Sequence, residues 1–226
     1  APSFLNPFRR ALLSYVLKRG DAVVAVSSAI ADYLVESLGV NRKKISVIHN
    51  PVEVQDVCAT DPPHEWLMDD GRSVLIAAGR LTRQKRFSLL LEAMEHIPEQ
   101  VRLIIIGEGE DRESLEQSIQ EKQLVARVCL PGFQDSPNEW FAHADCYVMS
   151  SDWEGFPFVL LEALAVGLQV VSTDCLSGPR ELLDGGRYGK LVPCGDAQGI
   201  AVAVQDSLSD PASKSELVSR VASFSI

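Results

Sequence analysis

Val101-Arg102-Leu103-Ile104-Ile105-Ile106-Gly107 is an apolar run closed by a glycine. A run without polar alternation fits a strand covered on both faces, since neither face meets water. Similar β-rich runs flank it, at 22–27, 45–48 and 73–78 before it, and at 127–130, 145–149, 169–173 and 189–192 after it. Between them lie helical patterns, near 29–38, 86–95, 111–123, 137–143, 157–166, 179–184 and 196–208, with a last one at 211–224. This β-α-β alternation predicts a parallel sheet with helices on both faces. The rhythm breaks between Val52 and Arg72, where Asp61-Pro62-Pro63 and Asp69-Asp70-Gly71 read as loop or linker. A boundary is placed near residue 58. The six strands after it suffice for a Rossmann-like, doubly wound α/β domain over 59–226. The two strands before it are too few for a domain, so 1–58 reads as the tail of another one with its linker. The chain begins with Ala rather than Met, in keeping with residues upstream.

Composition narrows the function classes. The 226 residues are 46% hydrophobic and 23% charged, ordinary for a globular protein. A net charge of −10 argues against a general nucleic-acid or anionic-membrane surface, so an anionic ligand needs a local cluster of cations. No apolar run approaches the ~20 residues of a spanning helix. The five cysteines are odd in number and show no CxxC spacing, which reads as reduced thiols in a reducing compartment, the cytoplasm. The four histidines form neither H-x3-H nor H-E-x-x-H, so no metal site is expected. In the first helix Arg9, Arg10, Lys18 and Arg19 flank apolar residues. That pattern suits an ordinary packed helix, or else peripheral contact with a membrane surface.

Ligands of parallel α/β sheets gather beyond the C-terminal ends of the strands. After 73–78 comes Gly79-Arg80-Leu81-Thr82-Arg83-Gln84-Lys85-Arg86, where four cations fall within seven residues of an acidic chain. Arg grips phosphate in a fork and Lys adds a point charge; the alternative is a solvated loop. After 101–106, Gly107-Glu108-Gly109-Glu110-Asp111 matches only G-x-G of the dinucleotide fingerprint, with Arg112 in place of the third glycine. It reads as a tight turn with Asp111 as helix N-cap. Pro131-Gly132-Phe133, following 127–130, either borders a nucleobase or is simply a turn.

The richest loop follows 145–149. Ser150-Ser151-Asp152-Trp153 leads into Glu154-Gly155-Phe156-Pro157-Phe158-Val159-Leu160-Leu161-Glu162. Pro157 fits the first turn of a helix, where its missing N–H is not needed, and Gly167 is the expected stop. Glu154 then precedes the helix and Glu162 lies about a turn and a half inside it. Between them is a helix N-terminus with free N–H groups and partial positive charge, suited to phosphate. A glutamate within an apolar helix is costly to bury without partners, which favours a role for Glu162. Ser177-Gly178-Pro179-Arg180-Glu181 after 169–173 starts another helix beside the same cleft.

Taken together these loops resemble the nucleotide-sugar-binding half of family-4 glycosyltransferases of the GT-B fold. The resemblance also takes in Ala144-Asp145, Glu162 to Gly167, and Ala25-Val26-Ser27 with Val47-Ile48-His49-Asn50 in the first segment. It departs at Pro51, where the family often has glycine after the linker Asn. The resemblance implies that Arg80 and Lys85 neutralise the donor diphosphate, that Glu154 holds the donor sugar, and that Glu162 accepts from the ribose hydroxyls. It implies that the backbone of Gly155, Phe156, Pro157, Phe158 and Val159 caps phosphate and sugar, and that Pro131, Gly132 and Phe133 border the base. It further implies a retaining, metal-free transfer of a hexosyl unit from a nucleoside-diphosphate sugar, a UDP-sugar favoured, to a glycan or glycolipid acceptor. The chain would be the donor half of a longer enzyme and would not turn over alone. Two rivals stay open: a non-hydrolysing nucleotide-sugar epimerase, and a binding module without transfer. A dehydrogenase fits less well, because G-x-G-x-x-G is incomplete.

Overall fold

The computed structural model describes residues 6–50 and 61–224, and the chain falls into two compact units dividing between Asn50 and Pro51. The boundary placed near residue 58, together with Pro51 and Cys58, lies outside the described residues.

The first unit runs α1 (Pro7–Arg19), β1 (Val23–Ala25), α2 (Ser28–Leu38) and β2 (Ile45–Val47). The strands pair in parallel, with Val23 opposite Ile45. Ser27 caps α2 by accepting from the Ile30 N–H, and Gly39 ends it in the left-handed conformation at φ 67°. Val23, Ala25, Ala31, Leu34, Leu38, Val40 and Ile45 form the core. Helix α1 buries none of its residues, and its Phe8, Leu12, Tyr15 and Val16 are exposed. The side chains of Arg10 and Ser14 tie it to α2 through the carbonyls of Ser37 and Leu38.

The second unit runs β3 (Val74–Ala78), α3 (Phe87–Met94), β4 (Arg102–Ile106), α4 (Arg112–Glu121), β5 (Val128–Gly132), α5 (Pro137–Phe141) and β6 (Cys146–Met149). It continues with α6 (Phe158–Ala165), β7 (Gln169–Thr173), α7 (Pro179–Leu182), β8 (Lys190–Val192), α8 (Ala197–Ser209) and α9 (Lys214–Val221). Its six strands are all parallel, in the order β5-β4-β3-β6-β7-β8. The chain winds outward from β3 to β5, returns to lay β6 beside β3, and winds outward again. This is the doubly wound order, and its switch point lies between β3 and β6. Helices α3, α4 and α8 share one core with Leu75, Ala77, Leu103, Ile105, Cys146, Val148 and Val171. Helices α5 and α6 pack against the sheet too, and α9 packs on α6. Asp145 ties the start of β6 to that of β3: its carboxylate accepts from the Val74 N–H at 2.7 Å, and its own N–H bonds to the Val74 carbonyl.

Three local expectations shift. Strand β5 extends through Gly132, so Pro131 and Gly132 lie within an edge strand, where a missing N–H is tolerated. Pro157 is the N-cap of α6, at ψ 91°, not a residue of its first turn. Asp111 stands at the N-cap of α4 but makes no side-chain cap bond. The G-x-G glycines are explained by packing. A Cβ on Gly107 would stand 1.9 Å from the Gly79 carbonyl oxygen, and one on Gly109 would stand 2.2 Å from that of Leu81. The turn after β4 is thus pressed onto the loop after β3, and Leu81 N–H bonds to the Glu108 carbonyl at 2.9 Å. Arg112 turns back as a two-pronged partner of Glu108, at 2.6 and 2.7 Å.

Candidate functional site

The two strands at the switch point carry the two loops that the sequence singles out. The loop after β3 holds Arg80 to Arg86, and the loop after β6 holds Ser150 to Pro157. Lys85 Nζ meets Glu154 Oε1 at 2.6 Å, with the lysine side chain 20% and the glutamate side chain 7% exposed. The loops are stitched further by Arg86 to Asp152 at 2.8 Å, by Gln84 Nε2 donating to the Trp153 carbonyl, and by Asp152 N–H donating to that of Gln84. Gly178, at φ 94°, comes so close to Pro157 that a Cβ would stand 2.4 Å from its ring. The Ser177 hydroxyl donates to the Glu154 carbonyl, joining the loop after β7 to the same site.

Arg80 and Arg83 are exposed and make no ion pair or hydrogen bond with a described residue. The four cations therefore divide: Lys85 and Arg86 pair with carboxylates, whereas Arg80 and Arg83 have no such partner among the described residues. At the start of α6 the Leu160 N–H bonds back to the Pro157 carbonyl. Phe158 and Val159 present first-turn N–H groups that lack an intrahelical acceptor. Phe156 is buried and stacks edge-on against Phe158, while Gly155 is exposed with open space around its Cα.

Glu162 is half-buried, and its carboxylate makes no hydrogen bond or ion pair with a described residue. Burial holds its pKa above the ordinary value. A raised carboxyl pKa means that the folded state binds the proton more tightly, so stability falls as pH rises from the unfolded pKa through the folded one. Urea melts of Glu162→Gln are expected to show higher stability than the parent above that window and equal stability below it. A parent advantage at neutral pH would show that a partner stabilises the charge.

Tyr147 was not singled out by sequence. It is buried beneath the switch point, and its hydroxyl donates to the Ala78 carbonyl at 3.4 Å. Burial, then the charge of Glu154, and with smaller weight that of Glu162, raise its pKa, so both carboxylates bear on one buried phenol. Thr173 was missed as well; its hydroxyl donates to the Ser151 carbonyl at 2.7 Å. The available signal was a polar residue inside an apolar strand run, which must find a partner once buried.

Pro131 to Phe133 do not join the Lys85–Glu154 cluster. They close the edge strand two places from β3, where Gly107 N–H bonds to the Gly132 carbonyl and the Phe133 ring is 68% exposed. The loops thus line up along one sheet end: aromatic at β5, cations at β3, carboxylate at β6. Neighbouring strands stand about 4.8 Å apart, so this row spans about 14 Å. Among the described residues no group of three or more His, Cys, Asp or Glu could hold a metal ion, and no helix is long and apolar enough to cross a membrane. Burial raises the Cys129 and Cys175 thiols to about 12, which removes them as nucleophiles at neutral pH.

The family description glycosyl transferases group 1 matches residues 62–223, and glycosyltransferase family 4 matches residues 1–56. The chain is 28% identical, over 98% of its length, to the Campylobacter jejuni N-acetylgalactosamine-N,N'-diacetylbacillosaminyl-diphospho-undecaprenol 4-alpha-N-acetylgalactosaminyltransferase, of which it spans 60%. It is 34% identical, over 92% of its length, to the lipopolysaccharide core biosynthesis glycosyltransferase LpsE of Rhizobium meliloti, of which it spans 59%. Its fold superposes with a TM-score of 0.88 on Anabaena Alr3699/HepE in complex with UDP, at 22% identity, over all of this chain and 66% of that one.

Proposed function

This chain belongs to the glycosyl transferases of group 1, GT-B glycosyltransferases of family 4, and from that premise we propose that it is the donor-binding half of a retaining hexosyltransferase. The donor is a nucleoside-diphosphate sugar, UDP-linked by preference, and the acceptor is a hydroxyl of a cell-surface polysaccharide, lipopolysaccharide or glycolipid. The observation that carries this is the Lys85–Glu154 pair at the switch point, with Arg80 unpaired in the same loop. The relatives, which carry names from lipopolysaccharide and lipid-linked glycan assembly, support the acceptor class. The UDP held by the Anabaena protein supports the base. The work is cytoplasmic, on acceptors at a membrane surface.

Each residue has a physical task. The diphosphate lies across the loop after β3 and the first turn of α6, where Arg80, Lys85 and the N–H groups of Phe158 and Val159 face it. As the bond from sugar to diphosphate breaks, charge grows on the leaving oxygens, and these preorganised donors stabilise it without reorganising. An ammonium has three donors, so Lys85 serves a phosphate oxygen while keeping Glu154. Glu154 accepts from the sugar hydroxyls and Glu162 from the ribose, one on each side of the diphosphate. Pro131 to Phe133 border the base. Two cations and a helix end supply the electrostatics that a divalent ion supplies elsewhere, so binding needs no added metal.

Calorimetry of this chain against UDP, GDP and ADP tests the reading. UDP is expected to bind, with the same affinity in chelator as in magnesium. No binding of any of the three would overturn the site. Incubating the full-length enzyme with donor alone separates the chief rival, since an epimerised nucleotide sugar would replace the transferase reading.

A further inference from the structure

We propose that Ser151 is a positioning residue for the donor sugar: with Lys85 it occupies one carboxylate oxygen of Glu154 and thereby presents the other to a sugar hydroxyl. This deepens the donor-site reading above and rests on it.

The bonds to Glu154 are one-sided. Its Oε1 accepts from Lys85 Nζ at 2.6 Å and from Ser151 Oγ at 2.6 Å. Its Oε2 accepts nothing from a described residue. A carboxylate offers about four acceptor directions, and the terminal torsion of glutamate is broad and two-fold. Held by lysine alone the group could turn, because an ammonium on a flexible four-carbon stem follows it. A serine hydroxyl on a one-carbon side chain cannot follow. Ser151 is fully buried, and its own carbonyl is held by the Thr173 hydroxyl at 2.7 Å. It is the fixed point of the pair.

Neighbouring hydroxyls hold the remaining degrees of freedom. Ser150 Oγ donates to the Lys85 carbonyl at 2.8 Å, which fixes the lysine backbone. Ser177 donates to the Glu154 carbonyl, which fixes the glutamate backbone. Ser150, Ser151 and Thr173 are 1%, 0% and 0% exposed, so these bonds face no competition from water. Buried hydroxyls at the ends of two adjacent strands, each aimed at the same ion pair or its support, form a frame whose product is the orientation of one carboxylate. A site built to accept from a hydroxyl discriminates strongly against a ligand that lacks it. Ser151 thus acts on the sugar increment of binding and leaves the nucleotide increment alone.

The test compares UDP with UDP-glucose by calorimetry, and melting temperature without ligand, in the parent, Ser151→Ala, Glu154→Ala and the double variant. Loss of a hydrogen bond to a charged acceptor is expected to weaken UDP-glucose about tenfold in Ser151→Ala and UDP less than about threefold. The melting temperature is expected to drop in Ser151→Ala, with no further drop when Ser151→Ala is added to Glu154→Ala. Equal weakening of UDP and UDP-glucose, a preserved sugar increment, or additive melting losses would overturn the assignment. A parent that binds neither nucleotide would overturn the donor-site reading instead, while the melting cycle still decides whether Ser151 holds Glu154.

Discussion

A Lys85→Ala variant is expected to lose at least tenfold in affinity for UDP and to melt at a lower temperature than the parent. The affinity term is the loss of a charged contact to phosphate, roughly 1.5–3 kcal/mol. The stability term has a separate origin. Lys85 Nζ stands 2.6 Å from Glu154 Oε1, and the glutamate side chain is only 7% exposed. Taking the cation away leaves a nearly buried carboxylate with the Ser151 hydroxyl alone, and breaking a buried pair from one side costs about 3–5 kcal/mol. The 20% exposure of the lysine places this case at the lower end. Two further variants separate the terms. Arg80→Ala removes an exposed, unpaired cation, so UDP affinity falls as far while the melting temperature holds. The double change Lys85→Met with Glu154→Gln removes both charges, so stability returns toward the parent and UDP affinity does not. Unchanged UDP affinity in both Arg80→Ala and Lys85→Ala would sink the phosphate assignment.

Gly107→Ala is expected to be the most damaging single methyl in the second unit. Its Cβ would stand 1.9 Å from the Gly79 carbonyl oxygen, and Gly107 sits at φ 141°. The atoms it would meet are all Gly79 backbone, and both glycines are held in place, Gly79 N–H by the Ile106 carbonyl at 3.0 Å and Gly107 N–H by the Gly132 carbonyl at 2.9 Å. No side chain can turn aside, so the ends of β3 and β4 must separate. Overpacking costs about 1–3 kcal/mol where the surroundings can yield, and more where they cannot; a loss above about 3 kcal/mol by denaturant melts is expected. The loop carrying Arg80 and Lys85 begins at Gly79, so UDP affinity falls with it. Gly155→Ala is the control, since a Cβ there meets nothing within 4 Å, and its stability change is expected to stay within about 0.5 kcal/mol. Similar melts for the two variants would refute the close-packing account.

Much of the fold was legible because burial on both faces leaves a mark in the chain. Leu103 to Ile106 are apolar without alternation, and glycine closes the run; the strand runs Arg102–Ile106. The helix stop at Gly167 was legible for the same local reason, the left-handed conformation at φ 75° that glycine adopts freely. Residues whose local pattern admitted two readings were less so. Pro131 and Gly132 look like a turn and lie in a strand, because an edge position excuses the missing N–H. The G-x-G turn looks like half a phosphate fingerprint, and its glycines serve contact between backbones that are far apart in the chain.

By itself the sequence determined the strands, the helices, the parallel sheet, and which loops end at the ligand edge, since each follows from periodicity and turn chemistry within a few residues. Only the tertiary structure decided the partners. Strand order set β6 beside β3 and so joined Lys85 to Glu154, 69 positions away. It also turned two of the four cations onto carboxylates, left Arg80 and Arg83 without such a partner among the described residues, and placed Ser151 against one glutamate oxygen. Pairing of this kind depends on which strand ends become neighbours, a property of how the sheet closes on its core and not of any stretch of the chain read alone.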